Sequence, residues 1–343
     1  MEKNESMQVS FQLTDGMTSE GMTSLFFNQD ALVEGPEKIY RLNAKDSRFY
    51  YKFNEENEPK FFISVTTLIR QTTPTSPHLV KWIAEMGYEE SKKYAAERSS
   101  YGTFMHKELA WLLINQSYNL DDLKPRLKQY IEEEHLKSDC IYWEDDLKKD
   151  ILAFAQFMIE HNVKPLAIEI VLSHPTDGYA GAVDLVCTMD IEEKGFYGEV
   201  YKSGVNIGEP KETKQVKNIT AIMDFKSGRK GFFEDAEIQL AAYREMWNIH
   251  FPSKPIDKIF NWAPKQYRGK TPTFSLKDQT GSKNLIKLKS LVEIAKIEDS
   301  KRDKNFVVTS GIIDLKKGIS ENISVMSISE IVKNAQIDKD LFE

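Results

Sequence analysis

Cysteine is nearly missing: Cys140 and Cys187 are the two thiols among 343 residues. Two thiols cannot build a four-thiolate zinc site or an iron–sulfur cluster. Such sparse use fits a reducing compartment. Long apolar runs are missing too. Nothing approaches the roughly 20 apolar residues of a membrane helix. The polar, Ser/Thr/Met-rich start from Met1 to Glu20 lacks the apolar segment of a secretory signal. The expected location is a cytoplasm, that of a bacterial host or a phage-infected cell, with no membrane partner. A basic excess is also absent, because 46 Lys and Arg stand against 53 Asp and Glu, for a formal net charge of −7. That disfavours a broad polyanion-binding surface but leaves room for a local basic groove. A bound cation also inverts the charge logic of an acidic site. No Gly-rich Walker loop occurs, so ATP-driven action is not expected. His106-Lys107-Glu108 mimics the His-x-Glu of zinc deaminases, but the Pro-Cys-x-x-Cys they require is missing.

What is present is a progression of elements. Residues 1–36 show no sustained period and are expected to form a flexible segment. From Lys38 the pattern turns to strands at 39–42, 48–53 and 61–65, with a polar turn from Asn54 to Pro59. Ser76-Pro77 opens a helix that Gly87 stops. Further amphipathic helices are expected over 89–99, from about 102 onward, over 121–136 and over 144–161. Strands at 165–172 and 179–189 meet at Thr176-Asp177-Gly178, a hairpin signal. The polar stretch 191–217 reads as an inserted hairpin or loop. Strand 221–225, helix 235–249, strand 256–263 and helix 282–297 follow. The expected fold is α/β, with a central mixed sheet flanked by helices. The expected domain covers 37–300, and residues 301–343 form a C-terminal extension.

Four short motifs carry the chemistry. Asp224 and Lys226 are two apart on a strand, so their side chains share a face beside apolar Ile222, Met223 and Phe225. A carboxylate and an ammonium at a buried strand end need partners; a cation for Asp224 and a phosphate oxygen or water for Lys226 would serve. A structural ion pair would serve too. Asp184 lies in the apolar run Ala180–Val186, where Gly181 allows a close approach. Glu169 interrupts Ala167–Val171 and is a candidate further ligand or an orienter of Lys226, or else an edge-strand charge. His106 shares a helix face with Leu109, Ala110 and Leu113. It is either a core histidine or a third metal ligand, and imidazole beside two carboxylates suits Mn²⁺ as well as Mg²⁺. Gln239 and Tyr243, four apart, stack on one helix face, and with Ser227 and Arg229 they offer donors for phosphate oxygens.

Taken together these residues resemble the PD-(D/E)XK nuclease superfamily in its RecB-like branch. That branch is marked by a helical His (His106), a strand Asp (Asp184), Asp/Glu-x-Lys (Asp224, Lys226) and Gln-x-x-x-Tyr (Gln239, Tyr243). The match is tighter to the mitochondrial genome maintenance exonuclease group and its phage and bacterial relatives. Ser64-Val65-Thr66-Thr67, Gly102-Thr103-x-x-His106, Glu169, Tyr179-x-Gly181-x-Val183-Asp184 and Asp224-Phe225-Lys226-Ser227 follow its pattern over roughly residues 60–265. Val183 replaces the literal Pro, the Asp184–Asp224 separation is long, and the iron–sulfur cysteines of some relatives are absent. The resemblance implies a restriction-endonuclease-like core, Mg²⁺ or Mn²⁺ as cofactor, and DNA as partner. It implies a metal-dependent exonuclease that prefers single strands with a free end, working beside replication, recombination or repair proteins. It also implies that Phe225 lends its backbone carbonyl to the metal. Two alternatives stay open: a structure-specific or restriction-like endonuclease, and a noncatalytic nucleic-acid-binding relative.

Overall fold

Alternating apolar residues build most of the strands, and continuous apolar runs build those covered on both faces. In a computed structural model of the chain, the described residues are 10–14, 17–22, 38–44, 47–194, 201, 203–205, 207–208, 213–228, 235–267, 269–281, 283–299, 305–309, 323–327, 329–330 and 333. Five strands come first: β1 (Ser10–Thr14), β2 (Met17–Met22), β3 (Ile39–Ala44), β4 (Ser47–Phe53) and β5 (Pro59–Ser64). They form an antiparallel meander. The segment 1–36, expected to lack regular structure, thus supplies β1 and β2, which add to the edge at β3. Backbone pairing to an existing edge holds them there, and pairing of that kind leaves little trace in side-chain periodicity.

Ser64 ends β5 and caps α1 (Val65–Thr72), its hydroxyl accepting from the Thr67 N–H at 3.0 Å. This helix was not expected. Then come α2 (Pro77–Met86) and α3 (Tyr88–Asn115), the latter one continuous helix where two were expected. Gly102 does not break it; a side chain there would stand 3.2 Å from the Ser227 hydroxyl. A 3₁₀ turn leads into α4 (Leu123–Glu133), and α5 (Glu144–Glu160) follows.

The central strands are β6 (Lys164–Ser173), β7 (Tyr179–Lys194), β8 (Thr213–Phe225), β9 (Lys258–Pro264) and β10 (Phe274–Asp278). They extend the meander into one ten-stranded mixed sheet, with β5–β7 and β8–β9 parallel. The flanks of the stretch 191–217 continue β7 and β8 as an antiparallel arm, Ile191 against Val216 through Lys194 against Thr213. Between β8 and β10 run α6 (Asp235–His250) and β9, and α7 (Lys283–Asp299) follows. Strands β11 (Asn305–Thr309) and β12 (Ile323–Ser327) pair only with each other among the described residues. Helices α3, α4 and α5 cover one face of the sheet, packed around Trp143, Phe154, Phe157 and Trp262. Helices α1, α6 and α7 cover the other, around Met246, Trp247 and Leu288. This is the expected α/β architecture with a central mixed sheet flanked by helices. Among the described residues, no helix is long and apolar enough to cross a membrane.

Two irregularities position the site. Ala180 pairs with both Ser64 and Ser173, and Leu185 pairs with both Ile168 and Met223. So β5 and β8 lie on the same edge of β7, opposite β6, and Gly181–Asp184 is the fork between them. The second irregularity is a reversal of side-chain alternation. Ile168 and Ile170 are two apart yet enter opposite cores, and so do Val183 and Leu185. A regular strand would place each pair on one face. On β6 the reversal falls at Glu169, whose φ of +51° is strained for a residue with a side chain.

Candidate metal and nuclease site

The fork gathers most of the candidate residues. Ligand atoms of His106, Glu169 and Asp184 lie within 4.8 Å of one another, and all three side chains are partly exposed. His106 comes from the middle of α3, held by buried Met105, Leu109, Ala110 and Leu113. Asp184 Oδ2 accepts from the Phe225 N–H at 2.7 Å, where the β7–β8 ladder ends. A carbonyl can only accept, so His106 Nε2, 3.1 Å from the Phe225 carbonyl, donates to it. His106 Nδ1 faces Asp184 Oδ1 at 3.6 Å.

On the α6 side of β8 lies a connected second part. Lys226 Nζ is 3.0 Å from Asp224 Oδ1 and 2.7 Å from Oδ2, and it donates to Gln239 Oε1 at 3.3 Å. Gln239 Nε2 donates to the Tyr243 hydroxyl at 2.9 Å. The buried Tyr243 ring lies over Gly181, where an added Cβ would stand 2.7 Å from a ring carbon. The glycine is therefore a condition of Tyr243 reaching the fork. Asp224 does not join the 4.8 Å set; its Oδ2 instead accepts from Asn261 Nδ2 at 2.7 Å. Ser227 sits beside Gly102 of α3. Arg229 lies outside the described residues.

The electrostatics describe a site crowded with carboxyl groups. Burial alone would lower the His106 pKa, but the Asp184 carboxylate, reinforced by Glu169 and Asp224, outweighs it and raises the ring to about 9. Burial and then the Asp184 charge push Glu169 up to about 8, against the pull of His106 and of Arg41 on β3. Burial would raise Asp184 as well, but His106 and the Phe225 N–H hold it below the usual carboxylate range. Asp224 is raised by burial, opposed chiefly by Lys226. Protons thus stay on His106 and Glu169, where a bound cation would relieve the same repulsion. The donor set fits a divalent metal: one imidazole, two carboxylates within reach, and an adjacent backbone carbonyl.

Sequence reasoning missed Asn261, although the signal was available. It is the single polar residue in Ile259-Phe260-Asn261-Trp262-Ala263, and it is wholly buried. It missed Arg41 too, for which no pattern existed. Three aromatics on α2 and α3 differ in access: Tyr101 is buried with its hydroxyl on Asp150. Trp111 is exposed and lies on the Arg126 guanidinium, and Trp82 lies against Tyr94.

A second His–carboxylate group, His174, Asp177 and Glu245, also brings its ligand atoms within 4.8 Å. Its groups already have partners within the protein. His174 Nδ1 accepts from the Asp177 N–H at 3.0 Å, locking the β6–β7 turn. Lys296 lies 3.7 Å from Asp177, and Lys289 lies 3.8 Å from Glu245.

No protein-family model matches the chain, and no curated protein matches it. Among solved structures it is similar to that of a candidate exonuclease from Eubacterium rectale, at 13% identity and a TM-score of 0.29. The match covers 57% of this chain and 69% of that one. A likeness that slight carries no chemistry across; the residues of the site have to supply it.

Proposed function

We propose that the protein is a divalent-metal-dependent deoxyribonuclease of the PD-(D/E)XK type, an exonuclease that takes single-stranded DNA with a free end. The observation that carries this reading is the fork itself. His106, Glu169 and Asp184 converge there, one residue from a carboxylate–lysine pair, Asp224 with Lys226. When bound, Mg²⁺ or Mn²⁺ would polarise the scissile phosphate and lower the pKa of a water. His106, Asp184 and the Phe225 carbonyl would hold it, with Asp224 completing the set from β8 and Glu169 in support. Lys226 stays charged, because Asp224 raises its pKa even though burial works against the charge. As an ammonium it orients the attacking water and offsets charge developing on the phosphorane. Gln239 fixes the Lys226 ammonium from the α6 side, and its own amide leans on Tyr243. Together with Ser227 and Arg229, this polar edge is where phosphate oxygens of the strand would dock.

The test is cleavage of end-labelled linear single-stranded and duplex DNA beside a closed single-stranded circle, with Mg²⁺ or Mn²⁺. Asp224→Ala serves as the control. Metal-dependent loss of linear single strands with the circle intact and the variant dead is expected. A cut circle points to an endonuclease on the same fold. Unabated cleavage in EDTA, or an active Asp224→Ala, rejects the mechanism. DNA bound with no metal-dependent product leaves a noncatalytic binding protein.

A further inference from the structure

Asn261 stands in register beside Asp224 on the parallel neighbour β9, between Phe260 and Trp262, with no exposed surface. A buried carboxamide is unfavourable unless its donors and its acceptor are matched. Here the matching runs outward in one direction. The Asp224 carboxylate can only accept, so the atom of Asn261 that meets it at 2.7 Å is the nitrogen. That leaves the Asn261 oxygen to accept from Gln279 Nε2 at 2.9 Å. Gln279 is itself buried and anchored: its N–H donates to the Ile259 carbonyl at 2.9 Å, and its carbonyl accepts from Asn284 Nδ2, at the start of α7, at 3.4 Å. Three buried carboxamides thus connect Asp224 to the turn between β10 and α7.

We infer that Asn261 is the positioning residue for Asp224, kept in its donating orientation by Gln279, so that the carboxylate gains an anchor without a second cation beside Lys226. The inference rests on the metal-nuclease reading above. Its physical point is that Asn261 adds no further charge to a carboxylate that Lys226 already meets at 2.7 Å. A lysine in place of Asn261 would anchor Asp224 equally well but would repel the metal. Partners that orient metal-binding carboxylates matter for affinity as well as rate.

The test compares the full-length wild type with Asn261→Ala, Asn261→Ser and Gln279→Glu. Mn²⁺ binding is measured by calorimetry, the melting temperature without metal, and kcat and KM on single-stranded DNA. Gln279→Glu offers only acceptors, so it turns the Asn261 amide nitrogen toward itself and the oxygen toward Asp224. Asn261→Ala and Gln279→Glu are each expected to weaken Mn²⁺ binding and to lower kcat by about 10- to 100-fold, with KM nearly unchanged. The double variant is expected to be no worse than the poorer single, since both remove one interaction. Asn261→Ser keeps a small donor and is expected to recover part of the loss; it also serves if Asn261→Ala does not fold. Lower melting temperatures with unchanged Mn²⁺ affinity mean that the relay is only structural, and they overturn the inference. Wild type that binds Mn²⁺ but cleaves no DNA overturns the nuclease reading alone, and the Mn²⁺ comparison still decides the relay. Wild type that binds no Mn²⁺ overturns both.

Discussion

Among the described residues, two clusters of one histidine, one aspartate and one glutamate lie beside β7, and they differ in what answers the negative charge. At the fork the negative charge is answered by protons, with the His106 ring lifted to about 9 and Glu169 to about 8, and by Arg41, which pulls on Glu169. At the β6–β7 turn, Asp177 and Glu245 are balanced by Lys296 and Lys289. There His174 is held below its ordinary pKa by burial, which outweighs the pull of Asp177 and Glu245. A proton is exchangeable for a metal ion, whereas a tethered lysine is much less so. On the proposed reading, residue type and proximity are not enough to make a metal site, and the identity of the counter-charge matters as well.

The sharpest way to break this comparison is to neutralise one aspartate from each cluster. Asp184→Asn is expected to reduce metal-dependent cleavage by about 10³-fold, while Asp177→Asn leaves it near wild type. Equal losses, or none, in an end-labelled DNA assay would erase the distinction. Next in size is the effect of the metal on stability. Mn²⁺ at about 100 times its dissociation constant should stabilise the wild type by about 2.7 kcal/mol, because it binds only the folded state. That rise in melting temperature should vanish in Asp184→Asn and persist in Glu245→Gln. A smaller effect is steric. Gly181→Ala presses a methyl group against the Tyr243 ring and should cost about 1–3 kcal/mol by denaturant unfolding. It should also weaken DNA binding by displacing Tyr243 from the fork.

The smallest effect is read by NMR titration of the metal-free protein. His106 should stay protonated through pH 8 and titrate near 9, whereas His174 should titrate below the ordinary histidine range. The sign for stability follows. The folded pKa of His106 lies above its unfolded value of 6.5, so its contribution is fully present below about pH 6.5 and is lost as the pH rises through 9. His106→Gln should flatten that loss. Protons leaving the site across the same window should tighten Mn²⁺ binding.

Much of this was legible in the chain. The spacing of Asp224 and Lys226 and that of Gln239 and Tyr243 fix shared faces, because strand and helix periods are local geometry. The structure joins those two faces through hydrogen bonds from Lys226 to Gln239 and from Gln239 to Tyr243. Gly181, flagged as a point of close approach, meets the Tyr243 ring. Asn261 was visible as one polar residue in an apolar strand, but nothing local says which carboxylate it serves. The strands β1 and β2 left no period, since their pairing depends on an edge offered by β3.

The sequence by itself determined the α/β class, most of the central strands and helices, and the residue types of the site. Those rest on periodicity, caps and turns, which act over a few residues. Only the tertiary structure decided that β5 and β8 share one edge of β7, leaving Asp184 in the gap between them. The same is true of the reversal at Glu169 and of which of two similar clusters lysines neutralise. These are matters of how distant segments meet, and the field at each carboxylate depends on every charge the fold brings within a few ångströms.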